Sequence, residues 1–132
     1  MPVKVVSTDA IAALELPGRQ LQWLVTPETV GAEMLSIAIM KCPALSVVRP
    51  MHAHRDTEED ILILEGEGEA WVDGERAFFK RGDAVLFPSN SRHQVRNTGN
   101  SVLMTASIFS PPTRPGDYIT YAEDAFASLD HR

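Results

Sequence analysis

His52 and His54 stand one residue apart, and in an extended strand residues i and i+2 face the same side, so both imidazoles are presented together while Met51 and Ala53 face away. That is the arrangement of a chelating pair. Carboxylates follow within MHAHRDTEEDILILEG, residues 51–66, with Glu59 five positions past His54. His93 comes 39 positions past His54, inside GDAVLFPSNSRHQVRN. Three imidazole nitrogens and one carboxylate oxygen suffice to hold a divalent metal ion. Glu58 is a rival to Glu59, but Glu59 falls on the same strand face as Ile61 and Ile63. His131, in the tail, reads as a solvated residue.

Such side chains need a rigid frame, and the local sequence calls for strands. β-forming or apolar runs cover Gln20–Val25, Glu33–Met40, Leu45–Arg49, Ile61–Glu65, Ala70–Val72, Glu75–Phe79, Ala84–Phe87 and Val102–Phe109. Asp73-Gly74 between two of them is a hairpin signal, and Arg81-Gly82 marks another turn. SRHQVRN alternates, with His93 and Val95 on the inward face and Arg92, Gln94 and Arg96 on the other. Roughly nine short strands with frequent turns point to an antiparallel sandwich or barrel. A short helix capped by Ser7, Thr8 or Asp9 is expected before Pro17-Gly18, and Tyr121–Arg132 carries apolar residues at helical spacing. The expected organisation is one domain over 1–132, with the barrel core at about 34–110, an N-terminal flank at 1–33 and a C-terminal tail at 111–132.

Composition narrows the function classes. A chain of 132 residues with 44% hydrophobic and 23% charged residues is that of an ordinary globular protein. A formal net charge of −6, with arginines dispersed along the chain, offers no field for nucleic acid. Cys42 is the single cysteine, so no internal disulfide is possible. Lying in AIMKCPAL without a neighbouring histidine, it reads as a small buried hydrophobe rather than a nucleophile. No signal-peptide core or membrane-spanning run is evident, and a cytoplasmic location is expected.

The spacing of the site residues resembles the two motifs of the cupin superfamily, in the small type-2, RmlC-like form. Those motifs are G-x5-H-x-H-x(3,4)-E-x6-G and G-x5-P-x-G-x2-H-x3-N. His52, His54, Glu59 and Gly66 fit the first, and Gly82, Pro88, His93 and Asn97 fit the second. Ser46 replaces the opening glycine of the first motif, and Asn90 replaces the inner glycine of the second, where asparagine is the next best residue for a left-handed turn. The six-residue interval to Gly66 again favours Glu59 over Glu58. The resemblance implies an all-β fold, an antiparallel double-stranded β-helix or jelly-roll barrel with short flanking helices. It also implies that His52, His54, Glu59 and His93 ligate one divalent metal, of which Fe, Mn, Ni, Co and Zn all suit the donor set.

Around that site, Ile61, Ile63, Val85, Phe87 and Val95 are the candidate wall of an apolar pocket for a small molecule. Arg49 is a candidate anchor for an anionic group or, equally, a rim salt bridge, and Trp23 and Tyr118 are candidates for the mouth. Asn97 reads as a structural turn residue. The expected function is a small-molecule enzyme with dioxygenase-type or isomerase/lyase-type chemistry; the alternative is a cupin module that binds or senses a small ligand without turnover. No helix-turn-helix accompanies it, no membrane or nucleic-acid partner is expected, and the two-sided apolar run Ile61–Leu64 suggests a homodimer.

Overall fold

Alternation of buried and exposed side chains organises the chain, whose computed structural model describes residues 2–127, into antiparallel strands. In chain order these are β1 (Leu14–Leu16), β2 (Arg19–Val25), β3 (Ser36–Cys42), β4 (Met51–His54), β5 (Glu58–Glu65), β6 (Glu67–Val72), β7 (Glu75–Lys80), β8 (Ala84–Phe87), β9 (His93–Asn97), β10 (Leu103–Ser110) and β11 (Tyr118–Tyr121). One sheet runs β1-β2-β3-β10-β5-β8 and the other β11-β4-β9-β6-β7. Together they form the all-β jelly roll. Met40, Ile61, Ile63, Phe87 and Leu103 from the first sheet pack against Ala70, Phe79 and Val95 from the second, so each sheet hides one face from water.

Several local expectations are corrected. Leu45–Arg49 is not a strand: Val47 makes one isolated bridge to Arg96, because Ser46 turns back to donate from backbone and hydroxyl to the Pro43 carbonyl. The N-terminal helix shrinks to one 3-10 turn, Thr8–Ala10, capped by Ser7. A four-residue helix, α1 (Pro27–Val30), was not foreseen, although Thr26 capping, Pro27 in the first turn and left-handed Gly31 at the end are signals for it. In the tail, Tyr118–Tyr121 is a strand on the edge of β4, and the bend and turn over residues 122–126 lead to Ala127, which has 3-10 helical backbone. Those turns lie against β9, where the Ala125 N–H donates to Gln94 and the Phe126 ring is buried beside Arg96 and Arg76. The remainder of the expected tail helix, and His131, lie outside the described residues. No helix among the described residues is long and apolar enough to cross a membrane.

Pro17-Gly18 does not end a helix but links β1 to β2, with Leu16 facing Arg19 in register. Proline followed by a glycine at φ +78° is the chemistry of a type II turn. The glycine is also needed sterically. A Cβ at Gly18 would collide with the Val47 carbonyl and crowd the backbone of Val48, so the β1–β2 turn seats directly on the segment that leads into β4. Gly18→Ala should cost about 3 kcal/mol and lower the melting temperature by roughly 10 °C. An unchanged thermal unfolding midpoint would show that this contact is not part of the native packing.

Candidate metal centre

Strand pairing explains why the polar cluster assembles. His52 on β4 and His93 on β9 are cross-strand partners in the second sheet, and His54 lies on the same face of β4. Glu59 sits in the first sheet, opposite Phe87 of β8 and Phe109 of β10, so it meets the three histidines across the interior. The strand pleat turns Glu59 inward with Ile61 and Ile63 and leaves Glu58 exposed. The corner between β4 and β5 is fixed by Asp117, whose backbone carbonyl accepts from Arg55 N (2.8 Å) and whose carboxylate accepts from Asp56 N (2.7 Å). The loop into β9 is held where Asn90, at φ +65°, donates its N–H to the His54 carbonyl (2.7 Å).

All four side chains are buried, and one donor atom from each lies within 4.8 Å of the others. His52 Nδ1 is 2.9 Å from the Pro50 carbonyl and His93 Nδ1 is 3.1 Å from the Ser91 carbonyl. A carbonyl only accepts, so each Nδ1 carries its proton there and each Nε2 is left as a bare lone pair. His93 Nε2 nevertheless lies 3.3 Å from Glu59 Oε1, buried and without a hydrogen-bond partner. His54 Nε2 lies 3.3 Å from the same oxygen, and its Nδ1 is also buried without a partner. Lone pairs converging on one point in a buried site call for a cation between them. Ions that take N and O donors at about 2.0–2.2 Å fit that point with small side-chain adjustments. The residues present therefore suit a metal, and His52, His54, Glu59 and His93 can hold one.

Aromatic rings wall the cluster. Phe87 stacks on His93 (4.3 Å, 14°), Phe109 meets the His54 ring edge-on at 5.3 Å, and Tyr118 lies 4.9 Å from the His52 ring. Burial, and then the neighbouring His93, push the His52 imidazole down to about 3, so it is neutral at ordinary pH. Burial alone would raise the Glu59 carboxyl, but the facing His54 and His93 prevail and hold it well below the usual carboxylate range.

The cluster opens onto a cavity of about 460 Å³. Arg49, Ile61, Phe87 and Val95 lie on its wall, as do Trp23 and Tyr118. Ile63 is packed instead in the core with Leu103 and Ala70, one pleat further along β5, and does not reach the wall. Val85 is likewise partly buried against the core. Arg49 Nε donates to Asp124 at 2.6 Å, an ion pair at the rim. Sequence reasoning missed Arg19, Gln94 and Arg114 on the wall, and only the turn chemistry of Pro17-Gly18 could have flagged the first. Asn97 is a structural tie: its side-chain amide donates to the Cys42, Pro43 and Ser101 carbonyls and its oxygen accepts from Gly99 N. Cys42 is buried, and desolvation pushes its thiol up to about 12 against the opposing charge of Arg19, which leaves it un-ionised at neutral pH.

A profile described as "Cupin domain" matches residues 39–109, which include all four donors. The chain belongs to the cupin family. Among sequences, this cupin is similar to the Streptomyces cyaneus protein named polyketide synthase CurC, 31% identical over 113 residues that cover 84% of this chain and 71% of that one. It is also similar to Bacillus subtilis quercetin 2,3-dioxygenase, 43% identical over 47 residues, or 36% of this chain and 14% of the dioxygenase. Among solved structures, it resembles a Thermotoga maritima protein described as a predicted oxalate decarboxylase, with a TM-score of 0.72 and 26% identity over 81% of this chain and 98% of that one.

A histidine whose folded pKa lies near 3 against an ordinary 6.5 stabilises the fold above pH 6.5, and that contribution is lost as pH falls toward 3, because unfolding then takes up a proton. In metal-free protein the unfolding midpoint should therefore drop on acidification from pH 6.5 to 4, and His52→Gln should flatten that drop. Parallel slopes for the two proteins in thermal melts would sink the assignment.

Proposed function

We propose that this cupin is an enzyme that holds one divalent metal on His52, His54, Glu59 and His93 and acts on a small, largely apolar molecule. The observation that carries the reading is the unprotonated His93 Nε2 facing the Glu59 carboxylate at the base of a cavity wide enough for a small organic molecule. Four protein donors leave open positions on an ion of octahedral habit, as catalysis requires and a purely structural site does not. When bound, such an ion supplies Lewis-acid polarisation and a point at which substrate or dioxygen is oriented.

The chain's own residues perform the rest. The Pro50 and Ser91 carbonyls hold His52 and His93 in the tautomer that offers Nε2. Ile61, Phe87 and Phe109 exclude water and offer flat apolar surface to a substrate. Tyr118, half exposed beside the His52 ring, stands at the mouth with a hydroxyl that can give or take a proton. Among the cavity-lining residues, carboxylate chemistry outside the donor set is absent, which favours dioxygenase-type or isomerase/lyase-type reactions carried by the ion over general acid–base catalysis by a second acid. The names of two relatives, a polyketide synthase protein and a quercetin dioxygenase, support a flat, oxygen-bearing aromatic substrate. The alternative, ligand binding without turnover, rests on the same cavity.

The six-stranded sheet turns Leu62 (40% exposed) and Leu86 (50% exposed) outward on neighbouring strands, which supports burial of that face in a homodimer. A monomer in sedimentation at micromolar concentration would refute it. For the metal site, protein purified without added metal should carry close to one divalent ion per chain by elemental analysis. His54→Ala and His93→Ala should each lose more than about tenfold of that occupancy with an unchanged far-ultraviolet spectrum. Unaltered metal content in both variants would overturn the assignment. Oxygen uptake with aromatic substrates then separates a dioxygenase from an isomerase or lyase, and retention of ligand without turnover points to a binding module.

A further inference from the structure

We propose that Arg19 anchors a carboxylate of the substrate, so that this cavity takes a small, largely apolar carboxylic acid. The inference rests on the reading of the cavity as the substrate site and adds the class of molecule it accepts.

Arg19 opens β2 and lies on the cavity wall with only 8% of its surface exposed. A guanidinium is always charged, and burying one is strongly unfavourable unless a counter-charge meets it. No carboxylate in the described chain does. Its hydrogen bonds are made by Nη1 alone, to the Pro17 carbonyl at 3.0 Å and the Arg49 carbonyl at 2.7 Å. Nε and Nη2, the side-on edge that binds a carboxylate through two parallel N–H donors, have no partner among the described residues. The Cys42 thiol, the group that feels its charge, is un-ionised.

The wider wall has the same polarity. Although the chain is acidic, with a net charge of −6, the cavity is lined by Arg19, Arg49 and Arg114 against the single carboxylate Glu59. Arg49 is joined to Asp124, and Arg114 is exposed on the loop before β11, which leaves Arg19 as the buried cation facing an apolar interior. Two carbonyl contacts through one nitrogen do not require a guanidinium, whereas a fixed fork with a free, accessible edge on an apolar cavity wall does suit a planar anion. The Nη1 contact to the Arg49 carbonyl also orients the fork, and Pro50, the next residue, holds His52. Anchor and metal donors are thus registered to each other through one short segment, so an acid held at Arg19 is positioned relative to the donor cluster.

The test is calorimetric titration of the full chain, as purified and again after chelation, with 2-naphthoate and its neutral isostere 2-naphthamide. Wild-type protein should bind the acid about tenfold tighter or better than the amide in both states. Arg19→Met should erase that preference while leaving amide affinity within about twofold and metal content unchanged. Equal affinities in the wild type, a preference that vanishes on chelation, or a preference that survives in Arg19→Met would overturn the proposal. So would loss of metal content in Arg19→Met, since Arg19 would then be a prop for the segment that carries His52. Should Arg19→Met not fold, Arg19→Lys decides: it keeps the charge without the fork and should reduce the preference severalfold, and an undiminished preference overturns the anchor. A wild type that lacks metal yet prefers the acid would refute the metal reading and leave the anchor standing.

Discussion

An unprotonated imidazole nitrogen and a carboxylate oxygen, 3.3 Å apart and shut away from water, repel each other unless something positive lies between them. The jelly roll imposes that contact. It fixes Nδ1 of His93 on a backbone carbonyl, so the ring cannot relieve the contact by moving its proton to the other nitrogen. His52 is held the same way. The strand frame thereby stores an electrostatic demand at its centre, which a metal cation held by the four side chains would meet. The depressed His52 imidazole and the depressed Glu59 carboxyl belong to the same design, since one stays neutral and the other charged, as metal donors must.

The demand can be sustained because the donors sit on strands whose ends are separately tied. His52, His54 and His93 share one sheet, and Glu59 comes from the other, so the site exists only while the two sheets stay in register. Asp117 clamps the β4–β5 corner, Asn90 clamps the loop into β9 on the His54 carbonyl, and Asn97 gathers three carbonyls from the loops at the far end of β9. None of these residues touches the space between the donors. Each removes a way for a strand to slide, and a slip of one residue would turn every donor to the outer face.

What could be read from the sequence follows from the range of the forces involved. The pair His52 and His54, the turn at Asp73-Gly74 and the alternation around His93 are local, and period-two patterning places them in strands before any tertiary contact is known. The choice of Glu59 over Glu58 is also local, since one faces Ile61 and the other does not. Ile63 shares that face yet belongs to the core, because depth along the sandwich depends on how far the two sheets overlap. The start of the tail differs from its local pattern for a related reason: the apolar spacing of Tyr121, Ala125 and Phe126 suits a helix, but Tyr121 pairs with Met51 and Phe126 is buried beneath two arginines. Arg19 was invisible, as its meaning arises from the approach of Gly18 to the Val47 carbonyl, a contact across 29 residues of chain.

Two arginines near the cavity show how burial decides what a charge does. Arg49 meets Asp124, whose carboxyl burial alone would raise but which the Arg49 hydrogen bond and its neighbours hold below its ordinary range. That pair fastens the tail to the start of β4, and at a partly wet rim it contributes modestly and leaves little field for a ligand. Arg19 sits deeper, bonded only to neutral carbonyls, where a low effective dielectric leaves its charge poorly screened. A poorly screened cation beside apolar walls favours a ligand that brings a negative charge over a neutral molecule of the same shape, because a charge-assisted, two-donor contact is worth more there than in water. The cost of burying Arg19 without a counter-charge among the described residues therefore becomes specificity, and it acts at the same cavity where the donor cluster creates its own demand for positive charge.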